Sequence, residues 1–197
     1  MGRIVVSENV SIDGVVQDPT GEEGFDRGGW FGRITDQARR AWAEMELQEA
    51  RDAAALLLGG GSYTWFASRW PGRTGEWADR LNGLPKYVVS STITAPSWAG
   101  TTVLSGDVPE AVSALKRSVD GDTVVHASRQ LVHTLLDHGL VDELRLMVYP
   151  AVLGDGDRLF GRTGHRTPMR LQSVATVGGS LVHLVYRTEQ DCGSSGS

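Results

Sequence analysis

Ala53-Ala54-Ala55-Leu56-Leu57-Leu58-Gly59-Gly60-Gly61-Ser62-Tyr63 is the stretch that decides the fold. An unbroken apolar run this short, ended by glycines, reads as a strand buried on both faces. The glycines make a tight turn, and Ser62 is the expected N-cap of the helix that follows. That helix must be short, because Pro71-Gly72 stops it. A strand, a glycine turn and a helix start expose backbone N–H groups at the positive end of a helix dipole. Such a site suits a phosphate, and a purely structural turn is the alternative. The turn is not a Walker loop, since no Gly-Lys-Ser/Thr follows. It also departs from the Rossmann fingerprint, because Thr64 stands where the third glycine belongs.

Outward from this point, the chain alternates. Ile4–Val6 is a β-branched run, and Ser11-Ile12-Asp13-Gly14 turns away from it. Residues 17–32 read as a long mobile loop. Ile34, Ala38, Ala41, Trp42 and Met45 then recur at helical spacing over 33–51. Downstream come strands at Lys86–Ser90, Thr102–Leu104 and Thr123–His126, with a helix over 108–119. Leu131, Val132, Leu135 and Leu136 make a helical stripe closed by Gly139. Glu143–Leu153 is a strand, and Leu171–Val177 and Leu181–Arg187 flank the hairpin pair Gly178-Gly179. The order predicts an α/β fold: a mixed, mostly parallel sheet flanked by helices in three layers, with an antiparallel C-terminal hairpin. One domain is expected over 1–187, with a flexible polar tail over 188–197.

Composition excludes several classes. There are 25 glycines, against roughly 14 expected from average usage, without a collagen period. The net charge of −5 argues against a nucleic-acid or anionic-membrane partner. The longest apolar runs are far below the ~20 residues of a membrane helix. Met1-Gly2-Arg3-Ile4 leads straight into a strand, so no signal peptide is expected and the setting is cytoplasmic. Cys192 is the only cysteine, so no internal disulfide forms. Histidines 126, 133, 138, 165 and 183 show no metal-ligand spacing, and no metal is expected. There is no Gly-x-Ser-x-Gly elbow. Asp13 either faces a cleft or stabilises its turn. Trp30 and Phe31 either cover a ligand or pack on the core, and Tyr149 reads first as core.

Taken together, several segments resemble a known family. They are Ser11-Ile12-Asp13-Gly14-Val15, Leu56-Leu57-Leu58-Gly59, Tyr63-x-x-Phe66 and Leu84-Pro85-Lys86-Tyr87-Val88-Val89-Ser90, followed by Gly139-Leu140-Val141-Asp142-Glu143-Leu144 and Pro150-x-x-Leu153-Gly154-x-Gly156-x-x-Leu159-Phe160. In this order they resemble the dihydrofolate reductase-like superfamily, specifically stand-alone relatives of the RibD C-terminal reductase domain. The resemblance covers about residues 1–187. It implies an NADPH site along the C-terminal strand ends. The turn Gly59, Gly60, Gly61, Ser62, Tyr63 and Thr64 would begin that site. Ser90, Ser91 and Thr92 would lie near the adenosine 2′-phosphate. His126, Ala127, Ser128, Arg129, Gln130 and Leu131 would lie over the pyrophosphate. Asp13, Trp30, Phe31 and Tyr149 would border the substrate.

Two positions depart from the family pattern. Relatives usually read Gly-Arg-Arg/Lys-Thr where this chain has Gly59-Gly60-Gly61-Ser62, and often Gly-Ser-Gly where it has Ala127-Ser128-Arg129. The missing cation weakens the hold on a 2′-phosphate by about 1.5–3 kcal/mol. The expected activity is hydride transfer from NADPH, or from NADH, to a C=N or C=O of a small pteridine- or pyrimidine-like heterocycle. Asp13, or a water it orients, would supply the proton, and the 17–32 loop would act as a lid. The alternative is a non-redox relative that has lost the cofactor and uses the cleft for another small molecule. The resemblance also implies a homodimer joined through the sheet edge.

Overall fold

The alternation produces a single eight-stranded sheet in the computed structural model, which describes residues 2–161 and 166–189. In chain order the elements are β1 (Arg3–Ser11), α1 (Asp36–Asp52), β2 (Ala53–Gly59), α2 (Gly60–Ala67), α3 (Glu76–Gly83), β3 (Lys86–Val89) and β4 (Thr101–Leu104). They continue as α4 (Val108–Ser118), β5 (Asp122–His126), α5 (Arg129–Asp137), β6 (Glu143–Tyr149), β7 (Met169–Val177) and β8 (Leu181–Thr188). The strands lie in the order β4-β3-β2-β5-β1-β6-β8-β7. All pairs from β4 to β6 are parallel, and β8 pairs antiparallel with both β6 and β7.

Each face of the parallel part carries its own core, which is why β2 reads as continuously apolar. On one face, Ile4 and Val6 of β1 and Leu144 and Leu146 of β6 meet the α5 stripe of Leu131, Val132, Leu135 and Leu136. On the other, Val5, Leu56 and Leu58 pack with Leu81 of α3 and with Trp70 and Trp98. A third cluster joins α1 to the antiparallel end through Ala38, Trp30, Met147, Tyr149 and Leu181. Local chemistry sets the ends. The Thr35 side chain caps α1 by accepting the Ala38 N–H, and Asp107 caps α4 at Glu110. Gly139 leaves α5 with φ +62, the left-handed exit expected of a glycine there.

The structure corrects four expectations. Gly59, not Ser62, caps α2, and Ser62 is the helix's third residue. The strand predicted over Glu143–Leu153 stops at Tyr149, because Pro150 has no N–H to offer the ladder. β8 reaches Thr188, one residue beyond the predicted domain edge. The 17–32 loop is folded around Asp18, which is 1% exposed. Its carboxylate accepts the N–H groups of Glu22 and Phe25 at 2.8 and 3.1 Å. Most of the predicted tail, with Cys192, and His165 lie outside the described residues.

Candidate functional site

The parallel order puts the C-terminal ends of β3, β2 and β5 side by side, which gathers the three segments expected to hold a cofactor. The Gly59 N–H donates to Ser128 Oγ at 2.9 Å, and Ser128 Oγ donates to the His126 carbonyl at 3.0 Å. Ser90 Oγ accepts the N–H groups of Thr92 and Ile93 at 3.1 and 3.0 Å, so Ser90-Ser91-Thr92 is a hydroxyl-pinned turn. A Cβ on Gly60 would stand 3.3 Å from Ser90 Oγ, whereas one on Gly61 would meet nothing within 4 Å. No side chain caps the N-terminus of α2. Its first amides therefore have no side-chain partner. Ala127 and Ser128 hold φ of 51° and 64°, a region that costs an L-residue strain and is more often occupied by glycine.

Other residues of this set serve the scaffold. Tyr63 is buried, and its hydroxyl accepts the Trp98 N–H at 2.8 Å. Leu131 is buried in the α5 core. Arg129 pairs with Asp157 at 2.6 Å, and Gln130 is exposed.

The residues expected at the substrate fall in two places. Asp13 is a joint between loops. It accepts from Ser11 Oγ at 2.7 Å and from the N–H groups of Leu153 and Gly154 at 3.0 and 2.8 Å. The Leu153 hydrogen bond, then that of Ser11, lowers its pKa to about 2. Asp13 is thus an ionised acceptor near neutral pH, which leaves it the role of orienting a water rather than of giving its own proton. Trp30 and Phe31 pack on Tyr149, edge-on and tilted, with ring centroids 5.2 and 5.0 Å from it. Trp30 and Tyr149 are buried, so of the two readings of this loop the structure supports core packing for Trp30. The Tyr149 hydroxyl is buried without a hydrogen-bond partner, and burial, then the charge of Glu46, raises its pKa.

Beside these groups, under α1, lies a pocket of about 210 Å³ lined by Ser7, Met45, Glu46, Gln48, Glu49, Asp52, Arg145, Met147 and His183. Burial, and then the neighbouring Glu49 charge, pushes the Glu46 carboxyl well above the carboxylate range. Arg145 holds Glu49 Oε2 at 2.8 Å and also reaches Asp122 and Glu143. Glu49 Oε1 has no hydrogen-bond partner and lies 3.6 Å from His126 Nε2. Burial keeps the His126 pKa below its ordinary value, outweighing the pull of Glu49. Glu46, Glu49 and His126 can bring one ligand atom each within 4.8 Å of one another.

Glu46, Glu49 and Arg145 escaped the sequence reading. One signal was available: Trp42, Met45, Glu46 and Glu49 share one helical face, so two acids continue an apolar stripe.

The profile of the RibD C-terminal domain matches residues 3–183. The chain belongs to the RibD C-terminal domain family. A Shewanella sp. PV-4 protein named for riboflavin biosynthesis superposes with a TM-score of 0.70 at 16% identity, covering 95% of this chain and 99% of that one. The Thermotoga maritima diaminohydroxyphosphoribosylaminopyrimidine deaminase/5-amino-6-(5-phosphoribosylamino)uracil reductase gives 0.59 at 15% identity, covering 95% of this chain and 56% of that one. Enterococcus faecalis dihydrofolate reductase, solved with NADP(H), gives 0.57 at 13% identity, covering 95% and 97%. At such identities these likenesses establish the fold, which is the dihydrofolate reductase-like one expected. A Bacillus subtilis relative, the uncharacterized protein YyaP, is 31% identical over 83 residues, which span 42% of this chain and 44% of that protein.

Proposed function

We propose that the chain is a nicotinamide-dependent reductase of a small heterocycle. The observation that carries this reading is the groove at the ends of β3, β2 and β5, which combines uncapped α2 amides with the Ser90 turn and the left-handed Ala127-Ser128. Amides at a helix start suit a pyrophosphate. Family membership and the reductases among the structural neighbours support the same assignment. A nicotinamide cofactor bound there would supply a hydride.

The chain's own residues do the rest. Gly60, Gly61 and Ser62 offer amides, and Ser128 fixes the turn by holding the Gly59 N–H. The pocket under α1 receives the acceptor, with Met45 and Met147 as its apolar wall. Glu46 replaces Asp13 as proton source, since its raised pKa leaves it protonated where Asp13 is ionised. Trp30 and Phe31 pack on Tyr149, next to the apolar cluster that includes Met147.

A second reading, a relative that no longer binds the nucleotide, draws on the lack of a cation. Gly60 and Gly61 carry no charge, and Arg129 is engaged with Asp157. One titration separates the two. NADPH and NADH are added to the wild type and to Gly61→Arg while tryptophan fluorescence is followed. The reductase reading expects saturable quenching in the wild type. It also expects Gly61→Arg, which has room for its side chain, to tighten NADPH by about tenfold or more relative to NADH. An unquenched wild type with no co-purified nucleotide favours the second reading.

A further inference from the structure

We propose that Glu46, Glu49 and His126 form a binding site for a divalent transition-metal ion such as Zn²⁺ or Mn²⁺. α1 supplies two carboxylates at i and i+3, and the last residue of β5 supplies an imidazole. They meet where the helix crosses the sheet, and one ligand atom from each lies within 4.8 Å of the others. Ligands about 2.1 Å from a common ion stand roughly 3.0–4.2 Å apart across tetrahedral and octahedral arrangements. The His126–Glu49 separation of 3.6 Å falls inside that range. It is too long for a hydrogen bond.

The arrangement around the ligands is what turns a cluster into a site. The Glu49 side chain is 10% exposed, and its Oε1 has no hydrogen-bond partner although it faces His126. Its other oxygen is fixed by Arg145 at 2.8 Å, so the free oxygen is aimed at the imidazole. A neutral imidazole offers one ring nitrogen as an acceptor. Two carboxyl groups and an imidazole therefore converge. Orientation of a ligand by a cation behind its carboxylate is a usual outer arrangement of a metal centre. The donor set of two oxygens and one nitrogen suits zinc, manganese or iron(II), and open pocket volume leaves further positions for water.

Arg145 places a positive charge beside the ion, but Asp122 and Glu143 share that guanidinium at 3.1 and 2.7 Å. Binding does not rest on the hydride reading. One consequence does: an ion on Glu46 excludes the proton assigned to it, so the metal would inhibit the reduction proposed above.

The test uses the full chain carrying Cys192→Ser, which removes the only thiol. After chelator treatment, Co²⁺ is titrated by visible absorption and Zn²⁺ by calorimetry. The expected result is one ion per chain, d–d bands without thiolate charge transfer, and affinity lower by about tenfold or more in both Glu49→Gln and His126→Ala. Melting curves establish that each variant is folded, and Glu46→Gln takes the place of one that is not. The absence of saturable binding at millimolar metal overturns the proposal, and so does undiminished binding in either folded variant. Nucleotide quenching of fluorescence is read separately, so a failed metal site leaves the reductase reading standing.

Discussion

Glu8 shows what a single acid does when burial isolates it. It sits on β1 in register with Leu146, alternating with Val6 and Val10 on the α5 face. The side chain is buried, and Oε1 has no hydrogen-bond partner. Burial, and then the Glu46 charge, raises its pKa well above 4.5. A carboxyl whose folded pKa lies above its unfolded one binds more protons in the native state. Its contribution is therefore full below about pH 4.5 and is lost as pH climbs toward the raised folded value. The expected outcome is a melting temperature that falls as pH rises through neutrality, and Glu8→Gln should flatten that fall. Thermal scans across a pH series check it, and an unchanged slope in the variant contradicts it. None of this was legible in the sequence. Glu8 interrupts the apolar face formed by Ile4, Val6 and Val10, and nothing local announces whether a second layer covers it there. Asp13 misled for the opposite reason. Its turn position was legible, but its partners Leu153 and Gly154 lie far along the chain.

At the scale of elements, periodicity and punctuation carried most of the weight. The β2 run, the α5 stripe with Gly139 and the Gly178-Gly179 hairpin all formed where patterns placed them, since each is set by neighbours in sequence. The cap of α2 was displaced to Gly59 because Ser128, from another strand end, ties down that turn. The two acids of α1 were hidden because helical spacing shows a face but not what the face meets. The hairpin turn shows how tertiary contact adds to local rule. Gly178 has φ +55, and a Cβ there would lie 2.2 Å from Ala38 Cα at the start of α1. Backbone cannot yield as a flexible side chain can. Gly178→Ala is expected to cost about 2–4 kcal/mol, whereas Gly179→Ala, with open space around it, bears only the positive-φ strain of about 1 kcal/mol. Chemical denaturation of the pair checks the difference, and equal losses would assign the whole effect to backbone conformation.

Across the whole molecule, the sheet is closed at one end and open at the other. β4 is a short four-residue edge, whereas β7 runs nine residues from Met169 to Val177 and is exposed along most of its length. Leu171 and Val174 are 49% and 61% exposed, and Arg170 is the strand's only charged residue. An edge this long and this poorly charged is open to pairing unless something covers it. No helix among the described residues is long and apolar enough to cross a membrane. We propose that a second copy covers it, β7 against β7, as the family resemblance suggests. A closed two-fold pair would satisfy the free edge amides and the two apolar side chains together. Light scattering coupled to size exclusion is expected to give a dimer for the wild type. Val174→Lys should give a monomer with its fold intact by circular dichroism, because the side chain faces solvent in the single chain and is buried only in the pair. A wild type that elutes as a monomer at micromolar concentration removes the proposal, and a Val174→Lys dimer moves the interface off this strand.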